Sequence, residues 1–451
     1  MAARTGNLAA NTGDREIPRR ENGLCDRARV LAALSVGGTV RVPGDKSISH
    51  RALILGALAE GPSRVRGILE SEDVHSTAGV LRSLGAEIPE LSPDMRLTGR
   101  GLRGLSAPTS SLDCGNSGTT TRLMAGVVAA HPFSARFTGD PSLSKRPMKR
   151  VADPLTYMGA RFEFESGDGL PMTITGGDLR SVDWDTRSAS AQVKSAILLA
   201  GLIAQVEVRV TESSPSRDHT ERMLRAMGVR VENNENRVWQ QVAPRLASVD
   251  VDVPSDPSSA AFFVALAALA SKGQLELPNV CINPTRSGFF DAMRRMGADI
   301  RIEQRSTSGG EEIATVVVRP SSLKSLQISE KEVPSLIDEL PLLACVAAGA
   351  GVELEITGAA ELRVKESDRI STVVQNLRAV GASAQELPDG LRVRRVAREL
   401  SGVVDPRADH RIAMAFGVLS AATGNRITVL NPECVAVSYP RFWDDLQRVI
   451  R

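Results

Sequence analysis

The hydrophobic and polar positions of this chain follow one pattern six times. In each copy, a short loop rich in Ser, Gly, Asp, Lys or Arg leads into an apolar run dominated by Ala. The runs have no polar face, which predicts helices that are buried on all sides. The six copies are GDKSISHRALILGALAEG from Gly44, GNSGTTTRLMAGVVAA from Gly115, SASAQVKSAILLAGL from Ser188, DPSSAAFFVALAALASKG from Asp256, PSLIDELPLLACVAAGAG from Pro334 and DHRIAMAFGVLSAATG from Asp409.

A second pattern runs between these copies. It reads as an amphipathic helix that stops at a glycine and is followed by an alternating strand, as around Gly85, Gly159, Gly228, Gly297 and Gly381. A glycine just past a helix end is typical of a helix stop, and a period of two residues is typical of a strand. The last stretch, FWDDLQRVIR, begins a sixth copy but lacks the glycine and the strand.

Six repeats in a chain of 451 residues divide most simply into two domains of three, because the chain is too long for one ordinary core. The sixth repeat stops early, so we expect the residues just before Gly44 to supply its missing strand. This organisation requires two chain crossings between the domains, near 42–44 and near 253–256. The predicted divisions are a disordered leader over 1–24, an N-terminal domain over 44–254, and a discontinuous C-terminal domain over 25–43 and 255–451.

The composition argues against nucleic-acid, membrane and metal partners. A net charge of +2 and 3% aromatic residues give neither a basic field nor stacking side chains, so we expect no nucleic-acid partner. We find no run of about 18 apolar residues and no signal sequence, which predicts a cytoplasmic protein without a membrane partner. The five cysteines and five histidines are scattered without metal-ligand spacing, so we expect reduced thiols and no metal site.

The polar residues of the six copies lie at the predicted helix starts. A helix N-terminus presents free N–H groups and a partial positive charge, and therefore attracts anions. In the first copy Lys46 and Ser47 begin the helix and Arg51 follows one turn later, and in the second copy Gly118 leaves the backbone bare. Taken alone, a surface lysine beside a capping serine and an ordinary glycine turn explain these features equally well.

Two later copies add carboxylates. PSLIDELP places Asp338 and Glu339 inside an otherwise apolar helix, where an unpaired carboxylate would be costly to bury. RVKESDR brings Lys365, Glu366 and Arg369 close together. The ordinary explanations are an ion pair with a neighbouring arginine for the first and a solvated helix start for the second.

Together, these groups occupy equivalent places in the repeat, which predicts one shared site. Phosphates and carboxylates are the groups that such cations bind, and Asp and Glu are suited to proton transfer. The set comprises five basic side chains, Lys46, Arg51, Arg146, Arg369 and Arg411, and two carboxylates, Asp338 and Glu366.

The motifs that carry these residues resemble those of the 5-enolpyruvylshikimate-3-phosphate (EPSP) synthase family. They are VPGDKSISHRA, GNSGTTTRL, SLSKRPM, SAQVKSAILLAGL, SRDHTERML, PSLIDELP, LRVKESDRI, DHRIAMA and VAVSYPRFWDDL. The resemblance runs in order from about residue 30 to the C-terminus. It implies an α/β fold of two domains, each of three βαβαββ repeats. It also implies transfer of the enolpyruvyl group of phosphoenolpyruvate to the 5-hydroxyl of shikimate 3-phosphate, without metal or organic cofactor.

The resemblance also implies a role for each site residue. It implies catalytic roles for Asp338, Glu366 and Lys46. The shikimate 3-phosphate contacts are Lys46, Ser47, Arg51, Ser190, Ala191, Gln192, Arg217, Asp338 and Lys365. The phosphoenolpyruvate contacts are Lys46, Asn116, Gly118, Arg146, Gln192, Arg369 and Arg411.

Ala191 and Val437 stand where one branch of the family has Ser and Lys, so the chain resembles the other branch, class II. A sister enzyme that transfers enolpyruvyl to UDP-N-acetylglucosamine uses a loop cysteine, and no cysteine occurs between Asp140 and Lys149. A non-catalytic anion-binding protein on the same scaffold is disfavoured by the intact Asp338 and Glu366. The family precedent is a monomer.

Overall fold

The computed structural model describes residues 34–186, 189–395 and 399–451. The predicted leader over 1–24 and the first part of 25–43 lie outside these residues. Within them, Ala-rich and amphipathic helices alternate as expected. The α-helices are α1 (Lys46–Leu58), α2 (Glu72–Ser83), α3 (Gly118–Ala129), α4 (Lys149–Met158), α5 (Ala191–Ala204), α6 (His219–Ala226), α7 (Pro257–Leu269), α8 (Gly288–Arg295), α9 (Val333–Leu336), α10 (Leu340–Ala350), α11 (Arg369–Ala379), α12 (His410–Ala422) and α13 (Phe442–Val449).

The strands fall between these helices, and four short 3₁₀ turns occur at Leu143–Lys145, Ile337–Glu339, Ala360–Val364 and Pro432–Val437 in the described residues. The strands are β1 (Ser35–Thr39), β2 (Glu60–Arg66), β3 (Asp94–Arg100), β4 (Leu112–Asp113), β5 (Ser134–Thr138), β6 (Arg161–Phe164), β7 (Met172–Thr175), β8 (Val182–Thr186), β9 (Val208–Glu212), β10 (Val231–Asn234), β11 (Arg237–Gln240), β12 (Asp250–Asp252), β13 (Lys272–Cys281), β14 (Asp299–Ser308), β15 (Glu311–Arg319), β16 (Leu326–Ile328), β17 (Leu354–Ile356), β18 (Ser383–Leu387), β19 (Gly390–Arg394), β20 (Gly402–Val404) and β21 (Ile427–Val429).

The sheets repeat one topology. In the second copy, β4 pairs with β5 in parallel, β5 pairs with β7 and β7 with β6, both antiparallel. The order β4-α3-β5-α4-β6-β7 is the predicted βαβαββ unit. The sheets β8-β9-β11-β10 and β16-β17-β19-β18 follow the same order.

The Ala-rich helices are buried on all sides, as predicted. Every residue of α7 is buried, and α3 packs directly on α5. Small side chains permit this close approach, because a Cβ atom added at Gly126 of α3 would lie 2.2 Å from the carbonyl oxygen of Ala196. The amphipathic helices end as expected, since the glycine that follows each of the five has a positive φ.

The first strand of the described residues is exchanged between repeats, and it joins the sheet of the fourth repeat, so the expectation that it completes the sixth repeat is wrong. β1 precedes α1 but pairs in parallel with β13, whereas β12 precedes α7 and pairs in parallel with β2. The two crossing segments also contact each other, because the Asp45 amide donates to the Pro254 carbonyl at 2.7 Å. The buried apolar residues form two clusters, one drawn mainly from 48–253 and the other from 34–42 and 260–449. The domain boundaries themselves stay a prediction.

The expectation of one continuous helix around Asp338 is wrong. The chain instead forms α9, a 3₁₀ turn over Ile337–Glu339, and then α10. Pro341 stands in the first turn of α10, where its missing N–H does no harm but where it could not continue a helix from the preceding turn. Asp338 and Glu339 therefore lie just before a helix N-terminus instead of inside a helix.

The expectation that no segment is long and apolar enough to span a membrane is also wrong for one stretch. Val333–Ala350 has the required 18 residues and a mean hydropathy of 1.5. Of its residues, 72% are buried inside the protein, as in the core of a globular fold.

Four of the five cysteines lie in the described residues, and none of these four forms a disulfide. Burial raises the pKa of Cys114 to about 12 and that of Cys434 to about 11, so both thiols are protonated at neutral pH. Cys25 lies outside the described residues.

Candidate functional site

The loops before the Ala-rich helices meet at one cavity of about 380 Å³. It collects side chains from loops in both the first and the second half of the chain, and most of the predicted site residues line it. Those residues are Lys46, Ser47, Arg51, Gly118, Arg146, Ser190, Ala191, Gln192, Arg217, Asp338, Lys365, Glu366 and Arg411.

Two predicted residues lie directly behind the wall of the cavity. The Asn116 side-chain oxygen accepts a hydrogen bond from Arg146 Nη2 at 2.6 Å, and its amide donates to Asp140 at 2.5 Å. Asn116 therefore positions Arg146. Arg369 is 1% exposed and contacts two lining carboxylates, Asp338 and Glu366.

The start of α1 is fixed by its own cap. Asp45 accepts from the amide of Ile48 at 2.9 Å, which leaves the side chain of Lys46 at the cavity, where it pairs with Asp73. Arg51 projects one turn later and is held by hydroxyl groups. Its Nε donates to Thr220 at 2.6 Å and its Nη2 to Ser195 at 2.8 Å.

The starts of α3 and α5 face each other. Ser117 and Ser190 cap these helices, which leaves the first turns open toward the cavity. Gln192 links the two helices, because its side-chain oxygen accepts from Arg122 at 2.6 Å and its amide donates to Thr119 at 3.0 Å. The glycine at 118 is closely surrounded, since an added Cβ would lie 3.0 Å from Arg122 Nη1 and 3.4 Å from Arg146 Nη1.

Buried arginines of the site fall into two kinds. Arg369 lies 2.8 Å from Asp409 and 2.5 Å from Glu366, and although burial opposes its charge, these carboxylates raise its pKa. Arg51 and Arg122 have no carboxylate within 4 Å in the part of the chain that the structure describes. Burial therefore lowers the pKa of Arg51 to about 10 and that of Arg122 to about 9. An anionic ligand group is the partner that would stabilise these two charges.

Asp338 is surrounded by cations. Its Oδ2 lies 2.5 Å from Arg217 and 3.7 Å from Arg411, and its Oδ1 lies 3.1 Å from Arg369. Burial alone would raise the pKa of this carboxyl, but these arginines and Lys365 hold it well below its usual range. Asp338 is therefore ionised and able to accept a proton only if this positive field is reduced.

Glu366 faces Asp338 across Arg369. Burial opposes its ionisation, but Arg369, His410, Arg146 and Lys46 hold its pKa well below the usual range. The neighbouring Glu339 differs, because burial and the charge of Asp338 raise its pKa. Two adjacent acidic residues, Asp338 and Glu339, thus have opposite pKa shifts.

Sequence reasoning missed several cavity residues. Arg122 follows Gly118 by one helical turn and lies in a motif already singled out, so helical spacing could have found it. Arg150 lies in the basic run SKRPMKR and pairs with Glu361 at 2.8 Å. Asp73 sits in an ordinary acidic first turn, and no local signal sets it apart.

A family model described as EPSP synthase (3-phosphoshikimate 1-carboxyvinyltransferase) matches residues 32–446. The chain belongs to the EPSP synthase family. It is 47% identical over 419 residues to the 3-phosphoshikimate 1-carboxyvinyltransferase of Sulfurihydrogenibium sp. (strain YO3AOP1), covering 92% of this chain and 97% of that one. It is 45% identical over 421 residues to the Aquifex aeolicus protein of the same name, with the same coverage.

A solved structure of EPSP synthase from Acinetobacter baumannii is similar in fold. Its TM-score is 0.82 at 41% identity, over 93% of this chain and 97% of that one. The predicted family, the two-domain α/β fold and the assignment to the transferases are confirmed.

Proposed function

We propose that this cavity binds shikimate 3-phosphate and phosphoenolpyruvate together and transfers the enolpyruvyl group to the 5-hydroxyl, releasing phosphate. The observation that carries the proposal is the concentration of cations and open helix starts around two carboxylates in one cavity of about 380 Å³. The chain as a whole has a net charge of only +2, so the positive charge at the cavity is local. The product belongs to the biosynthesis of aromatic amino acids.

Shikimate 3-phosphate binds on the side formed by α1, α5 and the loop before α6. Arg51 is the buried cation without a carboxylate partner on this side, which suits a phosphate. Asp338 and Lys365 reach the same substrate from the other wall. The assigned contacts are Lys46, Ser47, Arg51, Ser190, Ala191, Gln192, Arg217, Asp338 and Lys365.

Phosphoenolpyruvate binds against the start of α3. The bare backbone at Gly118 offers helix N–H groups, and Arg122 adds a buried cation close by. We propose that Arg122 supplies the positive charge that the family branch with Lys at the position of Val437 has there. The other assigned contacts are Lys46, Asn116, Gly118, Arg146, Gln192, Arg369 and Arg411.

Three proton transfers accompany the reaction. The 5-hydroxyl oxygen bonds to C2 of phosphoenolpyruvate and gives its proton to Asp338, while C3 receives a proton and a tetrahedral intermediate forms. Loss of phosphate from C2 and of a proton from C3 then regenerates the double bond. Once the phosphates of the substrates offset the cations that hold the pKa of Glu366 low, Glu366 donates the proton to C3 and later takes a proton back from C3. Lys46 stabilises the charge on the phosphate that leaves.

We extend the proposal to the state of the protein. It acts as a cytoplasmic monomer with two small-molecule substrates, without a cofactor and without a nucleic-acid or membrane partner. Sedimentation of the purified protein at a mass near 48.1 kDa is the expected result. A dimer at micromolar concentration would contradict it.

Phosphate release tests the reaction. Purified protein receives phosphoenolpyruvate and shikimate 3-phosphate, each alone and then both, and release is expected only with both. Asp338→Ala should lower kcat by about 10² to 10⁴, the usual contribution of a general base. Glu303→Gln removes an exposed carboxylate on β14 and serves as the control. Release without shikimate 3-phosphate, or full activity in Asp338→Ala, would refute the assignment.

A further inference from the structure

Both oxygens of the proposed base, Asp338, are already occupied by arginines. Oδ1 accepts from Arg369 Nη1 at 3.1 Å, and Oδ2 accepts from Arg217 Nη2 at 2.5 Å. A carboxylate held in this way is a poor proton acceptor, because both guanidinium groups stabilise its ionised form. Removal of one arginine would weaken this stabilisation and leave a lone pair of Asp338 free to accept the proton of the 5-hydroxyl.

Arg369 is fixed in place. Its guanidinium is 1% exposed and also contacts Asp409 at 2.8 Å and Glu366 at 2.5 Å. Arg217 is different, because its side chain is 19% exposed and Asp338 is its sole hydrogen-bond and ion-pair partner within 34–186, 189–395 and 399–451. Of the two, Arg217 is the one that can move.

The backbone around Arg217 is anchored, so only its side chain needs to move. Ser216 donates through its hydroxyl to Glu212 at 2.5 Å and through its amide at 3.4 Å, and Glu212 in turn pairs with the buried Lys194 at 2.7 Å. Thr220 lies 2.7 Å from Ser195. These contacts hold the loop before α6 against the first turns of α5.

The start of α5 is where a phosphate is expected. Ser190 and Ala191 line the cavity at this helix N-terminus, and Arg51, which bonds to Ser195, adds a buried charge. The carbonyl of Ser216, next to Arg217, accepts from Lys194 of α5 at 3.5 Å, and the Arg217 guanidinium contacts Asp338, so Arg217 connects this helix with Asp338.

We propose that Arg217 determines specificity for the phosphorylated substrate at the chemical step. The 3-phosphate draws the Arg217 guanidinium away from Asp338, and the freed carboxylate then accepts the proton of the 5-hydroxyl. The same alcohol without its phosphate meets a base that is still paired with Arg217. This inference rests on the proposed function and adds to it a second role for Arg217, beyond phosphate binding.

The charge balance at Asp338 supports this direction. Burial raises the pKa of the carboxyl, and Arg217 is among the cations that oppose this effect. Removing that one charge leaves burial less opposed, so Asp338 becomes a better base.

The test compares shikimate with shikimate 3-phosphate, each with phosphoenolpyruvate, in the wild type and three variants. Arg217→Met should raise kcat/KM for shikimate about tenfold while lowering it for shikimate 3-phosphate. Arg217→Lys keeps the charge near Asp338 and should leave shikimate turnover low. Arg237→Met removes an exposed arginine of β11 outside the cavity and should leave kcat/KM for both substrates unchanged.

If Arg217→Met raises kcat/KM for shikimate and lowers it for shikimate 3-phosphate, the result would support the displacement of Arg217 from Asp338 by the phosphate, which we call the switch. If Arg217→Met lowers or leaves unchanged the turnover of shikimate, Arg217 is a phosphate contact only and the proposal is overturned. A crystal structure of the wild type with shikimate 3-phosphate alone decides the matter where shikimate turnover is too slow to measure. Arg217 on the phosphate and away from Asp338 supports the switch, and an Arg217–Asp338 ion pair that persists in the complex rejects it.

Failure of this inference is distinguishable from failure of the proposed function. Phosphate release by the wild type with both substrates tests the function alone and is unaffected by what Arg217→Met does with shikimate. A protein that releases phosphate normally but shows no gain with shikimate retains the function and loses the switch.

Discussion

Burial and charge distinguish two kinds of arginine in the site. One kind is neutralised by carboxylates of the protein, and the other kind has only neutral partners among the described residues. Arg286 and Arg369 are satisfied by carboxylates of the protein, whereas Arg51 and Arg122 are held by neutral groups. Sequence alone could not separate these kinds, because all four are arginines near a helix start. Asp45 and Asp256, which pair with Arg286, and Asp409, which pairs with Arg369, come from distant parts of the chain.

Gly118 lies close to two of these arginines. Gly118→Ala would place a methyl group 3.0 Å from Arg122 Nη1 and 3.4 Å from Arg146 Nη1. Both are ends of flexible side chains, so the fold should tolerate the change while the arginines shift. We expect the KM for phosphoenolpyruvate to rise about tenfold, the loss of part of one charge-assisted hydrogen bond. Steady-state kinetics with each substrate varied checks this, and an equal rise for shikimate 3-phosphate would contradict it.

His50 should make the protein sensitive to mild acid. Burial, with help from Lys46 and Arg51 and against Asp73, lowers its pKa from 6.5 to about 3, and its Nδ1 lies 2.6 Å from Thr77 Oγ1. The unfolded chain binds a proton below pH 6.5 and the folded chain does not, so stability is complete above pH 6.5 and is lost as the pH falls. At pH 5 the loss from this residue is about 2 kcal/mol.

Denaturant titrations at pH 7 and pH 5 measure this effect. His50→Gln should reduce the difference between the two free energies of unfolding by about 2 kcal/mol. His75→Gln, at an exposed histidine of α2, should keep the full difference. Equal pH dependence in the two variants would rule out His50 as the titrating group.

At the scale of elements, the Ala-rich helices pack closely together, and the N-terminal ends of several of them line the cavity. The repeat of Ala-rich and amphipathic helices was predictable, because hydrophobic periodicity and terminal glycines are local signals. The break over Ile337–Glu339 was missed, since an apolar run reads as one helix until the effect of Pro341 is considered. That break sets the position of Asp338, so the error fell on the segment that carries the proposed base.

The contact of α3 with α5 gives a prediction about stability. Gly126→Ala would place a Cβ atom 2.2 Å from the backbone oxygen of Ala196, which no side-chain movement relieves. We expect the free energy of unfolding to fall by about 1–3 kcal/mol, as for other overpacked cores. Gly79→Ala in α2 meets no atom within 4 Å and should instead stabilise by up to about 1 kcal/mol. Equal changes in the free energy of unfolding of the two variants would show that the close contact of α3 with α5 does not make Gly126→Ala destabilising.

For the whole molecule, the junction between the two apolar clusters depends on one buried cation. Arg286 is 3% exposed and lies 3.4 Å from Asp45 and 2.9 Å from Asp256, the residues that cap α1 and α7. The two crossings were predictable from the incomplete sixth repeat. The arginine that joins them was not, because it lies about 30 residues beyond the second crossing.

Arg286→Met would leave Asp45 and Asp256 buried without their cation. We expect the free energy of unfolding to fall by about 3 to 5 kcal/mol, the usual cost of breaking a buried ion pair from one side. Arg294→Met removes an arginine of α8 from the exposed pair with Asp291 and should cost less than about 1 kcal/mol. Calorimetry of both variants makes the comparison, and a small effect of Arg286→Met would mean that the junction does not depend on this charge.

The exchange of β1 into the sheet of β13 also has a consequence for protein synthesis. Ser35 pairs with Lys272, so the first strand of the described residues finds its neighbour only about 237 residues later in synthesis. At about 5–20 residues per second, that delay is on the order of tens of seconds. During this time the intervening repeats can fold, while β1 must stay unpaired and out of contact with other nascent strands. The period of synthesis before Lys272 emerges is therefore a stage at which β1 is exposed to mispairing and at which a chaperone that covers it would help.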